Sequence, residues 1–160
     1  MEEELSIGKA NRQEEFMFSM IISIAVDEEE RVYVLDIKER DVKVYDRNGN
    51  FIRTIGRRGQ GPGELENPYT VQITSQNEVV VYDPMRRHLV FFSFEGNFMK
   101  NLSIDNLFNP PYIDSKGNII GIIIIKEKNN PRYELQKFDS QLNYLHSLDS
   151  SPYPNTSQSG

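Results

Sequence analysis

Apolar residues along this 160-residue chain recur at a spacing of two or in short runs. The first runs are ISIAV (22–26), VYVLD (32–36), VKVY (42–45) and FIRTI (51–55), each rich in β-branched and aromatic residues. Polar clusters separate them: DEEER, IKERD and DRNGN. Alternation of this kind predicts half-buried strands, and the clusters predict turns. Asn48-Gly49 reads as a tight two-residue hairpin turn, which needs positive φ. Residues 22–55 are therefore expected to form four short antiparallel strands, here called a, b, c and d. No segment carries a convincing helical spacing.

The unit then recurs. VVVYD (79–83) answers VYVLD, and FSFEGNF (92–98) answers YDRNGNF (45–51). Asp36 and Asp83 lie 47 residues apart, as do Gly49 and Gly96, so one register spans the unit. A third copy is weaker: GNIIGIIII (117–125), LQKF (135–138), DSQLNYL (139–145), with Leu142 where the others have glycine. Its b–c connection, KEKNNPR (126–132), is longer. A four-strand unit at a fixed period is the signature of propeller blades. The expected fold is all-β, with three four-stranded antiparallel repeats at about residues 17–56, 57–104 and 105–148. A strand and linker (1–16) would precede them, and a Ser/Pro/Asn-rich flexible tail (149–160) would follow.

The stretch GRRGQGPGELENPYTVQI, an Asn-containing turn, VVVYD and VFFSFEGNFMKNL together resemble an NHL repeat. That pattern has a Gly-rich G-x-G-P-G-E/Q-F segment, a proline before strand a and an Asp closing strand b. An aromatic-x-x-x-Gly turn precedes strand d. The likeness covers about residues 5–148; the third copy lacks the Gly-rich linker and the turn glycine. The chain also resembles six-bladed propeller proteins of gut Bacteroidetes, many of them exported. The resemblance implies half of a six-bladed propeller. Closure would then come from a second copy of the chain or from the rest of a longer propeller. LSIG (5–8) stands where a strand d would precede the first blade.

The glycines Gly59, Gly61 and Gly63 raise the question of a phosphate cradle. A dinucleotide fingerprint places its glycines between a strand and a helix, and a P-loop needs Gly-Lys-Ser/Thr. Here Pro62 and Pro68 exclude a helix and the next element is another strand. The glycines are read as an inter-blade bend and, with Asp36, Asp83, Gly49 and Gly96, as structural repeat positions. A strand-end Asp accepts backbone hydrogen bonds in a turn.

Composition narrows the function. Net charge is −6, with 38% apolar and 26% charged residues, as in ordinary globular proteins. There is no cysteine, hence no disulfide, thiolate metal site or cysteine nucleophile. The run 119–125 is too short to span a bilayer, so no membrane partner is expected. The N-terminus lacks the basic-then-apolar order of a signal peptide; the chain reads as cytoplasmic if that end is native and as exported if a leader was removed. The two histidines, His88 and His146, fall on different repeats, and neither a G-x-S-x-G elbow nor H-E-x-x-H occurs. His88 reads as a solvated loop residue and His146 as a strand-surface residue. No catalytic residue, metal ligand or cofactor is assigned.

Strand reversal puts the a–b and c–d turns on one rim and the b–c turns and linkers on the other. The first rim is acidic (Asp27, Glu28, Glu29, Glu30, Asp46, Glu95, Asp114). The second is the candidate ligand face: Lys38, Arg40, Arg57, Arg58, Arg86, Arg87 and His88. Arginine pairs suit carboxylates and phosphates. The expected function is a non-catalytic binding or assembly scaffold whose partners are itself and an acidic protein or other anionic ligand. The alternatives are a propeller lyase or lactonase, for which no metal ligand can be placed, and a single-stranded RNA binder. The chain's acidity disfavours nucleic acid, and only Tyr69 and the Phe108–Tyr112 region offer bases a stacking surface.

Overall fold

The computed structural model describes residues 18–105, 107, 109–128 and 131–152. They form three four-stranded antiparallel sheets and no helix. The first sheet runs β1 (Ile21–Val26), β2 (Val32–Asp36), β3 (Asp41–Tyr45), β4 (Phe51–Ile55). The second runs β5 (Thr70–Ile73), β6 (Val79–Asp83), β7 (His88–Phe92), β8 (Phe98–Ser103). The third runs β9 (Tyr112–Ile113), β10 (Ile119–Ile125), β11 (Arg132–Phe138), β12 (Tyr144–Pro152). The expected all-β repeats are thus present, each pairing only neighbours in sequence. Two compact units result, Met1–Ser103 and Ile104–Gly160.

In the first unit two sheets share one core. Tyr33, Leu35, Val42, Val44 and Ile55 of the first cluster with Val71, Val79, Val81, Val90 and Phe92 of the second, and Leu65 of the linker completes the cluster. The Ser23 hydroxyl accepts a hydrogen bond from Val71 N at 3.1 Å and ties β1 to β5. All five residues of β6 are buried, which is why VVVYD reads as a continuous apolar run rather than an alternation. On the other face of the first sheet, Ile24 and Val26 of β1 are 58% and 59% exposed.

Six hairpin turns share one construction. In each, the first residue's backbone N–H donates to the fifth residue's carbonyl, and the fourth residue's N–H returns to the first's carbonyl. The first residues are Asp27, Asp46, Thr74, Ser93, Asp114 and Asp139. The fourth, Glu30, Gly49, Asn77, Gly96, Gly117 and Leu142, all have positive φ. In the four Asp turns the carboxylate also accepts from the third and fifth backbone amides. This corrects the two-residue reading of Asn48-Gly49. Only Gly49 has positive φ (79°), and Asp46 closes a longer loop because its side chain saturates the turn amides. A register shift follows at each c–d hairpin, beside Tyr45, Phe92 and Phe138. There the edge-to-face pairs Tyr45–Phe51, Phe92–Phe98 and Phe138–Tyr144 repeat at 5.8, 6.5 and 6.2 Å.

In the second unit, Gly121 interrupts the isoleucine run for a packing reason. A Cβ there would lie 2.8 Å from Leu107, which bridges to Ile123. β12 continues through Pro152, so the last strand takes in the first residues of the segment read as a flexible tail. LSIG (5–8) and residues 153–160 lie outside the described residues.

Candidate binding surfaces

The Gly-rich linker between β4 and β5 is a folded loop rather than a slack connection. Leu65 N donates to Arg57 O at 2.8 Å and Gly59 N to Leu65 O at 3.1 Å, and this anchors Leu65, which is fully buried, in the core. Glu64 accepts from Gly61 N at 2.8 Å and from Arg57 Nε at 2.9 Å. The Gly61 amide is the main reason its carboxyl stays below its ordinary value. Gly63 has φ +71°, and a Cβ there would stand 2.8 Å from that of Phe98. That position needs glycine both for its backbone conformation and for its close approach to β8.

Arg86, from the turn between β6 and β7, clamps this linker. Its NH1 donates to Gly61 O at 3.2 Å and to Glu64 O at 2.9 Å. The structure therefore brings the linker and the second b–c turn together. Of their four arginines, Arg86 is committed to backbone and Arg57 is paired with Glu64. Arg58 and Arg87 are exposed, with no side-chain hydrogen bond or ion pair to a described residue. Lys38 is exposed and Arg40 half-buried on the first b–c turn; no hydrogen bond among the described residues joins them to the linker. Arg40 and Arg87 occupy the same repeat position, and both have left-handed backbones (φ 61° and 52°). His88 is not a loop residue. It opens β7 opposite Asp83 and is half-buried, its Nδ1 enclosed without a partner among the described residues. His146 is exposed on β12, opposite Lys137.

Asp36 and Asp83 are both completely buried. Asp36 accepts from the backbone amides of Ser19 (2.5 Å), Met20 (3.1 Å), Lys38 (3.0 Å) and Glu39 (3.2 Å). Burial alone would raise its pKa, but the four amides outweigh it and the carboxyl sits below its ordinary value. Asp83 accepts from Glu66 N, Asn67 N and Arg86 N at 2.7, 3.1 and 3.4 Å. Each carboxylate thus ties a strand end and its b–c turn to the segment entering the same sheet. By register the third sheet has Ile123 at this position.

The opposite rim of the first unit holds a cleft that the charge tally did not reveal. It has a volume of about 320 Å³, and Glu29, Arg31, Glu78, Phe94, Glu95 and Met99 are among its lining residues. Arg31 Nε lies 2.6 Å from Asp27 and NH1 2.9 Å from Glu29. The Arg31 and Arg53 guanidiniums sit 3.9 and 4.5 Å from the centre of the Phe94 ring. Burial and the Asp27 hydrogen bond push the Tyr33 phenol well above its usual range. Asp27 stays low because Arg31 and Tyr33 more than offset its desolvation. The neighbouring Ser93 side chain keeps the Glu95 carboxyl below its ordinary value. The sequence signal for this cleft was Phe94, the one aromatic residue at the second position of any of the six turns. Among the described residues, no group of three or more His, Asp or Glu could hold a metal ion.

Comparison with known proteins supports a propeller-like fold. Over 90% of its length the chain is similar to a Bacteroides fragilis protein described as exported, BF0058, at 18% identity and a TM-score of 0.72. It is similar to a chain of the nidogen/laminin complex over 81% of its length (20% identity, TM-score 0.58). Similarity to the Staphylococcus aureus virginiamycin B lyase extends over 87% of it (11% identity, TM-score 0.52). It spans 41%, 48% and 57% of those chains respectively. No curated protein matches it. The family model described as "Domain of unknown function (DUF4934)" matches residues 12–159, and the chain belongs to that family.

Proposed function

We propose that this protein is a binding and assembly scaffold of the NHL type, without catalysis of its own, whose blades form part of a six-bladed ring. Its ligand is anionic, an acidic segment of a partner protein, held at the linker rim by Arg58 and Arg87. The observation that carries this reading is the division of labour at that rim. Arg86 and Glu64 fix the linker backbone, and Arg58 on the linker and Arg87 on the adjoining b–c turn are left exposed. Loops on a rigid scaffold are the usual seat of binding, and a pre-ordered loop loses little entropy when a ligand docks. The strand-end carboxylates Asp36 and Asp83 are occupied by backbone amides.

The assembly half of the proposal rests on the first sheet's open face, where Ile24 and Val26 present apolar surface of the kind that marks interaction sites. A second copy of the chain is the favoured occupant, since a two-fold pair would bring three blades to six. Light scattering coupled to size exclusion should then give about twice 18.6 kDa; a monodisperse monomer would refute closure by self-association. For the ligand, the probe is polyaspartate at low ionic strength. The R58E/R87E double variant leaves the Arg86 clamp intact and should bind at least tenfold more weakly than wild type. Unchanged affinity would remove the linker rim from the proposal.

A further inference from the structure

We propose that the cleft between the hairpin turns of the first two sheets binds a lysine side chain presented by a partner protein. This site is distinct from the linker rim and has the opposite charge preference. At about 320 Å³ it lies at the small end of ligand pockets, matched to one extended side chain rather than a folded cofactor. Its wall is apolar where Phe94 and the half-exposed Met99 line it, and its rim carries the carboxylates of Glu29, Glu78 and Glu95. A lysine offers the complement, an aliphatic stem ending in a compact cation.

Charge decides the sign of the ligand. Glu29, Glu78 and Glu95 line the cleft and Arg31 is its one lining cation, so three carboxylates stand against one guanidinium. Arg31 is already held by Asp27 at 2.6 Å and Glu29 at 2.9 Å, while Arg53 lies against Phe94. The excess is negative: Glu78 and Glu95 make no ion pair with any described residue, although Arg53 lies close enough to Glu95 to help hold its carboxyl below the ordinary value. Geometry decides between the two basic side chains. Arg31 and Arg53 already sit 3.9 and 4.5 Å from the Phe94 ring centre. A third guanidinium would lose the stacking that favours arginine. An ammonium needs no stacking surface and has three donors to share among the carboxylates that line the cleft. The partner source follows from the surroundings. Met99, half-exposed on β8 and part of the cleft lining, gives the chain flanking the lysine an apolar surface to lie on.

The test is chemical-shift mapping on the full chain with a blocked Gly-Gly-Lys-Gly-Gly peptide, alongside its Arg, norleucine and acetyl-lysine counterparts and free cadaverine. The lysine peptide should shift amides of residues 76–78 and 93–99 in a saturable, salt-sensitive way. The arginine peptide should bind at least threefold more weakly, and the two uncharged peptides should not bind. An E78Q/E95Q variant with a wild-type circular dichroism spectrum should weaken the lysine peptide at least fivefold. The R58E/R87E variant should leave it unchanged, which separates this site from the linker rim. Absence of saturable shifts, equal binding of norleucine, or indifference to E78Q/E95Q would overturn the site. Cadaverine binding as tightly as the peptide would overturn the protein source.

Discussion

Replacing Asp36 by asparagine preserves its shape and tests what holds the first sheet to the segment entering it. Four backbone amides converge on this buried carboxylate. Ser19 N meets Oδ2 at 2.5 Å, and Met20, Lys38 and Glu39 meet Oδ1 at 3.1, 3.0 and 3.2 Å. Asparagine has a single carbonyl oxygen. With that oxygen on the three-amide side, its NH2 confronts Ser19 N–H, donor against donor; flipped, it confronts three. A hydrogen bond to a charged group is worth about 1.5–3 kcal/mol, and a buried donor left unsatisfied costs about 1–3 kcal/mol. These overlap, so D36N should lose about 2–4 kcal/mol. At Asp83 the load is uneven: Oδ2 takes Glu66 N and Asn67 N, and Oδ1 has only a 3.4 Å contact with Arg86 N. Asparagine can keep the two short bonds, so D83N should lose about 1–2 kcal/mol.

Urea unfolding followed by tyrosine fluorescence reads both, since the chain has eight tyrosines and no tryptophan. The midpoint should fall with the slope unchanged. The pH dependence supplies a second check. Asp36 has a depressed folded-state pKa, so its contribution is present above the unfolded value of about 3.9 and is lost as pH falls through the folded value. The gap between wild type and D36N should be complete at about pH 6 and should narrow below about pH 4. A D36N stability within about 0.5 kcal/mol of wild type, a D83N cost above that of D36N, or a gap undiminished in acid would refute this role for the Asp36 carboxylate.

Three glycine-related substitutions test the turns and the linker by the same unfolding measurement. Gly117→Ala, at φ +78° with open space around it, should lose about 1 kcal/mol of backbone strain energy, whereas Gly63→Ala adds a 2.8 Å approach to Phe98 and should lose about 2–3 kcal/mol; equal losses would show that the linker yields. Leu142, at φ +66° where the other two c–d turns have glycine, should gain about 0.5–1 kcal/mol on change to glycine, and a loss would mean its side chain supplies packing that outweighs the strain.

The fold was legible where burial dictates the residue type. β2, β3, β6 and β7 lie in the middle of their sheets, and most of their residues are buried. Their β-branched runs could be read directly. Outer strands were less legible because backbone pairing, not side-chain burial, holds them. β12 is exposed along its entire length, so YLHSLDSSP carries no apolar pattern after Leu148, and its end was read as tail. β11, an inner strand but mostly half-buried, begins at Arg132, three residues before the apolar signal LQKF. The turns fell between these cases. The glycines at 49 and 96 were visible, but the wider rule is that the fourth residue takes positive φ in all six turns and the first side chain accepts from turn amides in five of them. Glu30, Asn77 and Leu142 obey it without glycine.

Candidate sites were harder to read because loop charge says nothing about where the charge is spent. Arg86 and Arg87 are adjacent and chemically identical. Arg86 is half-buried and bound to two linker carbonyls, while Arg87 takes left-handed backbone and stays in solvent. A count of basic residues gives them equal weight, yet only one is available to a ligand. The acidic rim shows the reverse. There the tally recorded Glu29 and Glu95 as surface charge, whereas the fold lines one cleft with both, beside an aromatic ring that carries two guanidiniums. That meeting depends on packing between the first and second sheets, and so on contacts 40 or more residues apart between Arg53 or Arg31 and Phe94. Repeat spacing reports which residues occupy equivalent positions, but a site between two repeats is built from positions that are not equivalent. The Phe94 cluster is of that kind: its aromatic comes from a c–d turn of one sheet, and its cations come from β4 and the a–b turn of the other.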